Sequence, residues 1–294
     1  MLRRKTCEEL ASGTVLLEGK YIIDKRIGKG GFGIIYRASQ CGLDRTVCIK
    51  ECFLPGRCFR STHASTVYVQ DSSERFFEKC RQAFVKEAKL LATLHHPNIV
   101  EVIDVFDENN TSYLVMNMIE GKSVRDLVHA RRRLPYPEVV NYIAQIASAV
   151  GYLHERHILH CDIKPDNMMV TADYKAILID FGSACDFEQD KTQEHNSTIT
   201  PGYAPTEQYS AKGRKGSYTD IYAIGATMYF MLTGQPPLES SFRLAKQMSP
   251  PKELAPDIPE EANRIILKAM QLNAENRYQT IQSFMDDLCN ISPS

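Results

Sequence analysis

Tryptophan is missing from this chain of 294 residues, and so is any excess of one charge, because 35 lysines and arginines face 36 aspartates and glutamates. The first absence matters only to spectroscopy. The second excludes the basic footprint of a nucleic-acid binder, and no basic cluster longer than Arg131-Arg132-Arg133 marks a membrane surface. Long apolar runs are lacking too. The longest, around residues 221–232, is too short to span a bilayer. The opening MLRRKTCEEL sets acids directly after its basic residues, where a secretion signal needs an apolar stretch, so a soluble, cytoplasmic chain is expected. Nine cysteines at positions 7, 41, 48, 52, 58, 80, 161, 185 and 289 form no CxxC pair and have no histidine at zinc-ligand spacing. Reduced, structural thiols follow.

What is present divides the chain. Its length suggests about two domains or lobes at ~150 residues each. Residues 21–27, 33–38, 46–49, 100–106 and 112–117 are short, β-branched or aromatic runs with Gly or Asn between them, and predict strands. Phe77, Phe84, Ala88 and Leu91 recur at the spacing of one helix face within residues 74–95. Beyond about residue 120 the pattern turns helical, with a stripe of Val139, Ile143, Ile146, Val150 and Leu153. Two short strands at 168–170 and 176–179 interrupt it. Residues 220–233 are apolar almost all round, which predicts a helix buried within its domain. Ile265, Ile266, Ala269 and Leu272, then Ile281, Phe284 and Leu288, mark two further amphipathic helices. The expected fold is α+β and bilobal: an N-terminal extension over 1–20, a small β-rich lobe over 21–118, and a larger helical lobe over 119–290. A cleft between lobes is the default ligand site.

Gly28-Lys29-Gly30-Gly31-Phe32-Gly33 is a GxGxxG string, weak alone because it also opens dinucleotide-binding helices. Here a strand follows, which favours a hairpin offering backbone N–H groups to phosphates. Lys50 ends a strand and shares a face with Cys48. Two readings stand open for Glu87: an ion-pair partner that holds Lys50 extended, or a solvated surface acid. The strongest signal is His160-Cys161-Asp162-Ile163-Lys164-Pro165-Asp166-Asn167, followed after a strand by Asp180-Phe181-Gly182. It supplies a base, a cation and two hard oxygen ligands of the kind Mg²⁺ takes alongside phosphate oxygens. Phosphoryl transfer asks for little more.

At these residues the chain resembles the protein kinase superfamily, from about residue 21 to 288. Thr200-Pro201-Gly202-Tyr203-Ala204-Pro205, Glu207-Gln208-Tyr209 and the segment from Asp220 to Pro237 resemble the eukaryotic-like serine/threonine kinases of bacteria. The resemblance implies a signalling kinase that moves the γ-phosphoryl group of ATP to serine and threonine hydroxyls of proteins, itself included, with Mg²⁺ or, in its place, Mn²⁺. It makes Asp162 the base, sets Lys164 on the γ-phosphate and Lys50 on the α- and β-phosphates with Glu87 as its partner, and gives the metal to Asn167 and Asp180. The nucleotide would lie against Ile27, Gly28, Lys29, Gly30, Gly31, Phe32, Gly33, Ile35, Cys48, Met116, Asn117, Ile119 and Met169. Met116 would be the gatekeeper, while backbone groups of Asn117 and Ile119 would receive adenine. Leu91, Val102, His160 and Phe181 would stack on an anchor at Asp220, and Glu207 would pair with Arg277.

The chain departs from the pattern at four places. Cys161 replaces the arginine that receives an activation-loop phosphate. Pro205-Thr206-Glu207 stands for a motif that usually ends Ala-Pro-Glu. Cys48 occupies the ceiling over adenine. An insertion spans about residues 51–73. An exposed, partly ionised Cys161 beside the base would also be open to oxidation. Two other classes compete: a pseudokinase scaffold that binds nucleotide without transfer, against which stand the intact Lys50, Asp162, Asn167 and Asp180, and a small-molecule phosphotransferase, disfavoured by the long segment 180–207.

Overall fold

The computed structural model describes residues 6–61, 64–186, 199–210 and 213–290. The chain forms two compact units, one of Met1–His95 with Val100–Ile119, the other of His96–Ile99 with Glu120–Ser294.

In the first unit, strands β1 (Thr6–Cys7), β2 (Val15–Leu16), β3 (Tyr21–Lys29), β4 (Gly33–Gln40), β5 (Arg45–Cys52), β6 (Cys58–Ser61) and β7 (Tyr68–Val69) precede helix α1 (Glu74–Leu91), and β8 (Val102–Glu108) and β9 (Thr111–Asn117) follow it. Six of them make one antiparallel sheet in the order β2-β3-β4-β5-β9-β8, and β1, β6 and β7 make a second, smaller one. The period of two sets the faces: Ile34, Tyr36 and Ala38 on β4 are buried, as are Val47 and Ile49 on β5. Asn109 and Asn110, both at positive φ (54° and 60°), close the β8–β9 hairpin as a two-residue turn that suits the twist of the strands. Helix α1 buries Phe77, Phe84, Ala88 and Leu91, the face its periodicity predicts. It stops at Leu91, short of His95, because Thr93 and Leu94 donate backbone N–H groups to Leu90 and Leu91 and tighten the chain into turns.

The predicted insertion begins later than residue 51. Glu51 and Cys52 belong to β5, and Glu51 faces the core with Val47 and Ile49. A carboxylate there needs partners. Arg60 of β6 supplies a cation at 2.5 Å, and the hydroxyls of Tyr36 and Tyr113 donate at 2.9 and 2.8 Å. Burial pushes the Glu51 carboxyl up, against the pull of Arg60 and the two hydroxyls. Removing one member of such a pair strands the other charge, so Arg60→Met is expected to lower unfolding free energy by about 3–5 kcal/mol. Chemical denaturation checks this, and adding Glu51→Gln should recover part of the loss; an Arg60→Met midpoint equal to that of the wild type would contradict it.

In the second unit come β10 (Gly121–Ser123), α2 (Val124–Arg131), α3 (Tyr136–His154), β11 (Ile158–Leu159), β12 (Met168–Thr171), β13 (Ala176–Leu178), β14 (Cys185–Asp186), α4 (Ser217–Thr233), α5 (Pro251–Leu254), α6 (Glu260–Ala269) and α7 (Ile281–Cys289). Helix α4 is buried at every position from Thr219 to Leu232. It packs against α3 and α6, and α3 also packs against α7. The predicted α3 stripe is buried in full. Leu272 lies past the end of α6 and is only half-buried. Among the described residues, no helix is long and apolar enough to cross a membrane.

Candidate active site

The loop after β11 is held from beneath by Asp220, a fully buried carboxylate in the first turn of α4. Its Oδ2 accepts the His160 backbone N–H at 3.0 Å, its Oδ1 accepts that of Cys161 at 2.8 Å, and His154 Nε2 lies 2.9 Å from Oδ2. Burial works to raise the Asp220 carboxyl, but the hydrogen bonds from His154 and from the His160 backbone N–H hold it below the usual range. Cys161 stands in the left-handed region (φ 62°), costly for a residue with a Cβ and kept only where surroundings over-determine it. Asp220 fixes its N–H, and Gln208 Nε2 donates to its carbonyl at 2.7 Å. His160, whose pKa burial lowers, accepts the Asp162 N–H at Nδ1 (3.2 Å), which makes Nε2 the protonated nitrogen of the neutral ring. Its ring lies 4.7 Å from that of Phe181. Leu91 and Val102 belong to the first unit.

This anchoring presents Asp162. Its Oδ1 accepts the Thr200 hydroxyl at 2.7 Å, and its Oδ2 accepts Lys164 Nζ at 2.6 Å and Asn167 Nδ2 at 3.0 Å. Lys164 also donates to Thr200 Oγ1 at 3.1 Å. The carboxylate thus already receives an alcohol O–H within reach of a cation. Because the Asn167 NH₂ group is committed to Asp162 Oδ2 and to the Asp162 carbonyl (2.9 Å), its amide oxygen points the other way. That oxygen and the Asp180 carboxylate, whose Oδ1 accepts the Gly182 N–H at 3.2 Å, are hard donors of the kind Mg²⁺ prefers. Among the described residues, no group of three His, Cys, Asp or Glu side chains is placed to hold a metal.

In the first unit Lys50 Nζ lies 3.2 Å from Glu87 Oε1, with both side chains largely buried (17% and 11% exposed). Of the two readings of Glu87, the surface acid is therefore excluded. Ile35, Cys48 and Lys50 are half-buried on alternate positions opposite the core residues of β4 and β5, and burial pushes the Cys48 thiol up to about 11. Met116 of β9 sits opposite Cys48. The Asn117 N–H donates to the Glu101 carbonyl at 3.0 Å. Ile119 is half-buried, and Met169 lies on β12 of the second unit. In the glycine-rich hairpin a Cβ on Gly33 would stand 2.8 Å from the Glu51 carbonyl oxygen, so the protein's own packing demands glycine there. At Gly30 and Gly31 a Cβ would meet nothing within 4 Å, and neither has positive φ. Packing therefore does not require glycine at either of these two positions.

Cys161 is 4% exposed, clustered with Leu159 and Cys185, and its thiol is pushed well up by the hydrogen bond with Cys185 and by burial. The condition for oxidation, an exposed and partly ionised thiol, is not met. Glu207 keeps Arg277 despite the altered motif, through contacts of 2.6 and 3.1 Å to a guanidinium whose side chain is 0% exposed. Sequence reasoning missed His154, Gln208, Glu51 and Arg60. Only Glu51 carried a signal, an acid in register with the core residues of its strand.

A twisted antiparallel sheet with one long helix in one unit and a helical second unit with an Asp-Lys-Asn loop and an Asp-Phe-Gly turn define the protein kinase fold. The protein kinase domain model matches residues 21–294, and the chain belongs to that family. It is similar to a probable serine/threonine-protein kinase of Clostridium acetobutylicum (30% identity, 95% of this chain, 41% of that protein) and to serine/threonine-protein kinase PrkC of Bacillus subtilis (30%, 92% and 40%). Serine/threonine-protein kinase PknB of Mycobacterium tuberculosis is 29% identical over 94% of this chain and 43% of its own length. The chain thus spans about two fifths of these curated relatives. The solved structure PpkA-294 in its apo form matches with a TM-score of 0.80 at 30% identity, covering 96% of this chain and 100% of that one.

Proposed function

We propose that the chain is an ATP-dependent serine/threonine protein kinase. The observation that carries this is Asp162, a carboxylate that already accepts a threonine hydroxyl at 2.7 Å with Lys164 alongside. In this reading a substrate hydroxyl takes that acceptor, its oxygen bonds to the γ-phosphorus, the bond to the bridging oxygen of ADP breaks, and the proton passes to Asp162. Lys164 neutralises γ-phosphate charge. Lys50, held extended by Glu87, does so at the α- and β-phosphates, while the hairpin, closed by the Gly30 N–H on the Gly33 carbonyl at 2.9 Å, brings the Gly31 N–H toward phosphate. Asn167 and Asp180 would hold Mg²⁺, which neutralises phosphate charge when bound. Incubation with labelled ATP and Mg²⁺, followed by phosphosite mapping on the chain and on a basic protein, should show phosphoserine and phosphothreonine. Nucleotide binding without transfer would make it a scaffold, and transfer only to small molecules would place it in the third class.

Cys161 shapes the expected regulation. A thiol in a Leu159–Cys185 cluster offers a phosphate neither charge nor a bidentate fork. Activity is therefore expected to be independent of phosphorylation on Ser197 or Thr198, which lie outside the described residues. Phosphatase-treated enzyme and a Ser197→Ala, Thr198→Ala variant should keep their initial rates within about twofold. A tenfold drop in either would mean that another basic residue, Arg214 or Lys215, receives the phosphate.

A further inference from the structure

The outer arm of the glycine-rich hairpin is poorly supported by the main sheet. On its far side β2 pairs only with Tyr21 and Ile22, so Lys25–Lys29 of β3 has a strand neighbour on one edge alone. Its ladder with β4 is also irregular, shifting register between Ile23 and Lys25 and again between Arg26 and Gly28. An edge segment interrupted by shifts opens readily.

The N-terminal segment covers that weakness. Glu8 forms an ion pair with Lys29, and Glu9 forms one with Arg26 at 2.9 Å, so the two acids grip the arm on both sides of the second shift. The segment is itself fixed at the other end. β1 pairs with β6, Arg60 Nη1 donates to the Glu8 carbonyl at 2.6 Å, and the Leu10 N–H donates to the Tyr36 hydroxyl at 3.0 Å. Arg60 and Tyr36 both meet the carboxylate of Glu51, the residue after Lys50. A chain of contacts therefore runs from the strand of Lys50 through Glu51, Arg60 and Glu8 to Lys29 in the hairpin.

We propose that Glu8, Glu9 and Arg60 are positioning residues for the nucleotide, strapping the glycine-rich hairpin to the strand that carries Lys50. None of them touches the reacting atoms. The strap holds the hairpin N–H groups at a set distance from the Lys50 ammonium, so both meet one triphosphate without first being ordered. Pre-ordering lowers the cost of binding and leaves the chemical step alone. The inference rests on the ATP reading of the site.

The test uses the full chain with Glu8→Gln and Glu9→Gln together, exposed substitutions that leave the Arg60–Glu51 pair in place. The expected result is a KM for ATP raised roughly fivefold, the scale of two exposed ion pairs, with kcat within about twofold and an unchanged melting temperature. Amide exchange of residues 28–33, measured without nucleotide, should quicken by a similar factor. Swapping the charges of the second pair, Glu9→Arg with Arg26→Glu, should restore the exchange rate that either single change raises. An unchanged or lowered KM, or unaltered hairpin exchange, overturns the strap. Failure of the ATP reading looks different, since the unaltered chain would then transfer no phosphate while the exchange measurement still reports on the hairpin.

Discussion

Asp162→Asn is expected to cut turnover by a factor of about 10² to 10⁴ while nucleotide affinity stays close to that of the unaltered chain. The amide keeps the shape and one acceptor oxygen, enough to hold the Thr200 hydroxyl. It cannot take a proton. Its NH₂ group would also replace the oxygen that now accepts from Lys164 and Asn167, setting a donor against two donors. The lysine would be released and the amide of Asn167 freed to turn, so the loss should exceed that of a base acting alone. Steady-state rates with saturating ATP, alongside nucleotide-dependent thermal shifts, separate the two effects. A fully active variant would remove Asp162 from its role.

Asp180→Ala should cut transfer by about 10³-fold or more and, unlike Asp162→Asn, should weaken Mg·ATP binding as well. On the proposed reading the carboxylate would be the charged member of a two-oxygen donor set, and Asn167 alone would offer a neutral amide. Lys50→Met should behave differently: Glu87 loses its cation in a largely buried site, the phosphates are misplaced, and rate falls more than affinity. The discriminating measurement is thermal stabilisation by ATP with and without Mg²⁺. Stabilisation that requires neither Mg²⁺ nor Asp180 would put the nucleotide elsewhere.

The groups around Asp162 were readable because their chemistry is written in contiguous strings, where spacing of two to five residues fixes relative position almost by itself. The helix faces of α1 and α3 were readable for the related reason that 3.6-residue periodicity is local. The Glu51–Arg60 pair was not. Arginine is among the residues least often buried, its strand is four residues long, and one of its further partners is a backbone carbonyl 52 positions away in the chain. The exposure of Cys161 was left open because proximity to a base says nothing about which way a side chain turns. Here a left-handed backbone turns it inward.

The strap has a practical side. A domain trimmed to Tyr21, where the family match begins, would cut through the folded first unit instead of beside it. Arg60 Nη1 would lose the Glu8 carbonyl and the Tyr36 hydroxyl would lose the Leu10 N–H, although both side chains would keep their bonds to Glu51. A chain that starts at Tyr21 is expected to melt at a lower temperature than one that keeps residues 6–20, because it lacks these contacts. Boundaries chosen by likeness alone would yield a protein weakened at the hairpin it is meant to display.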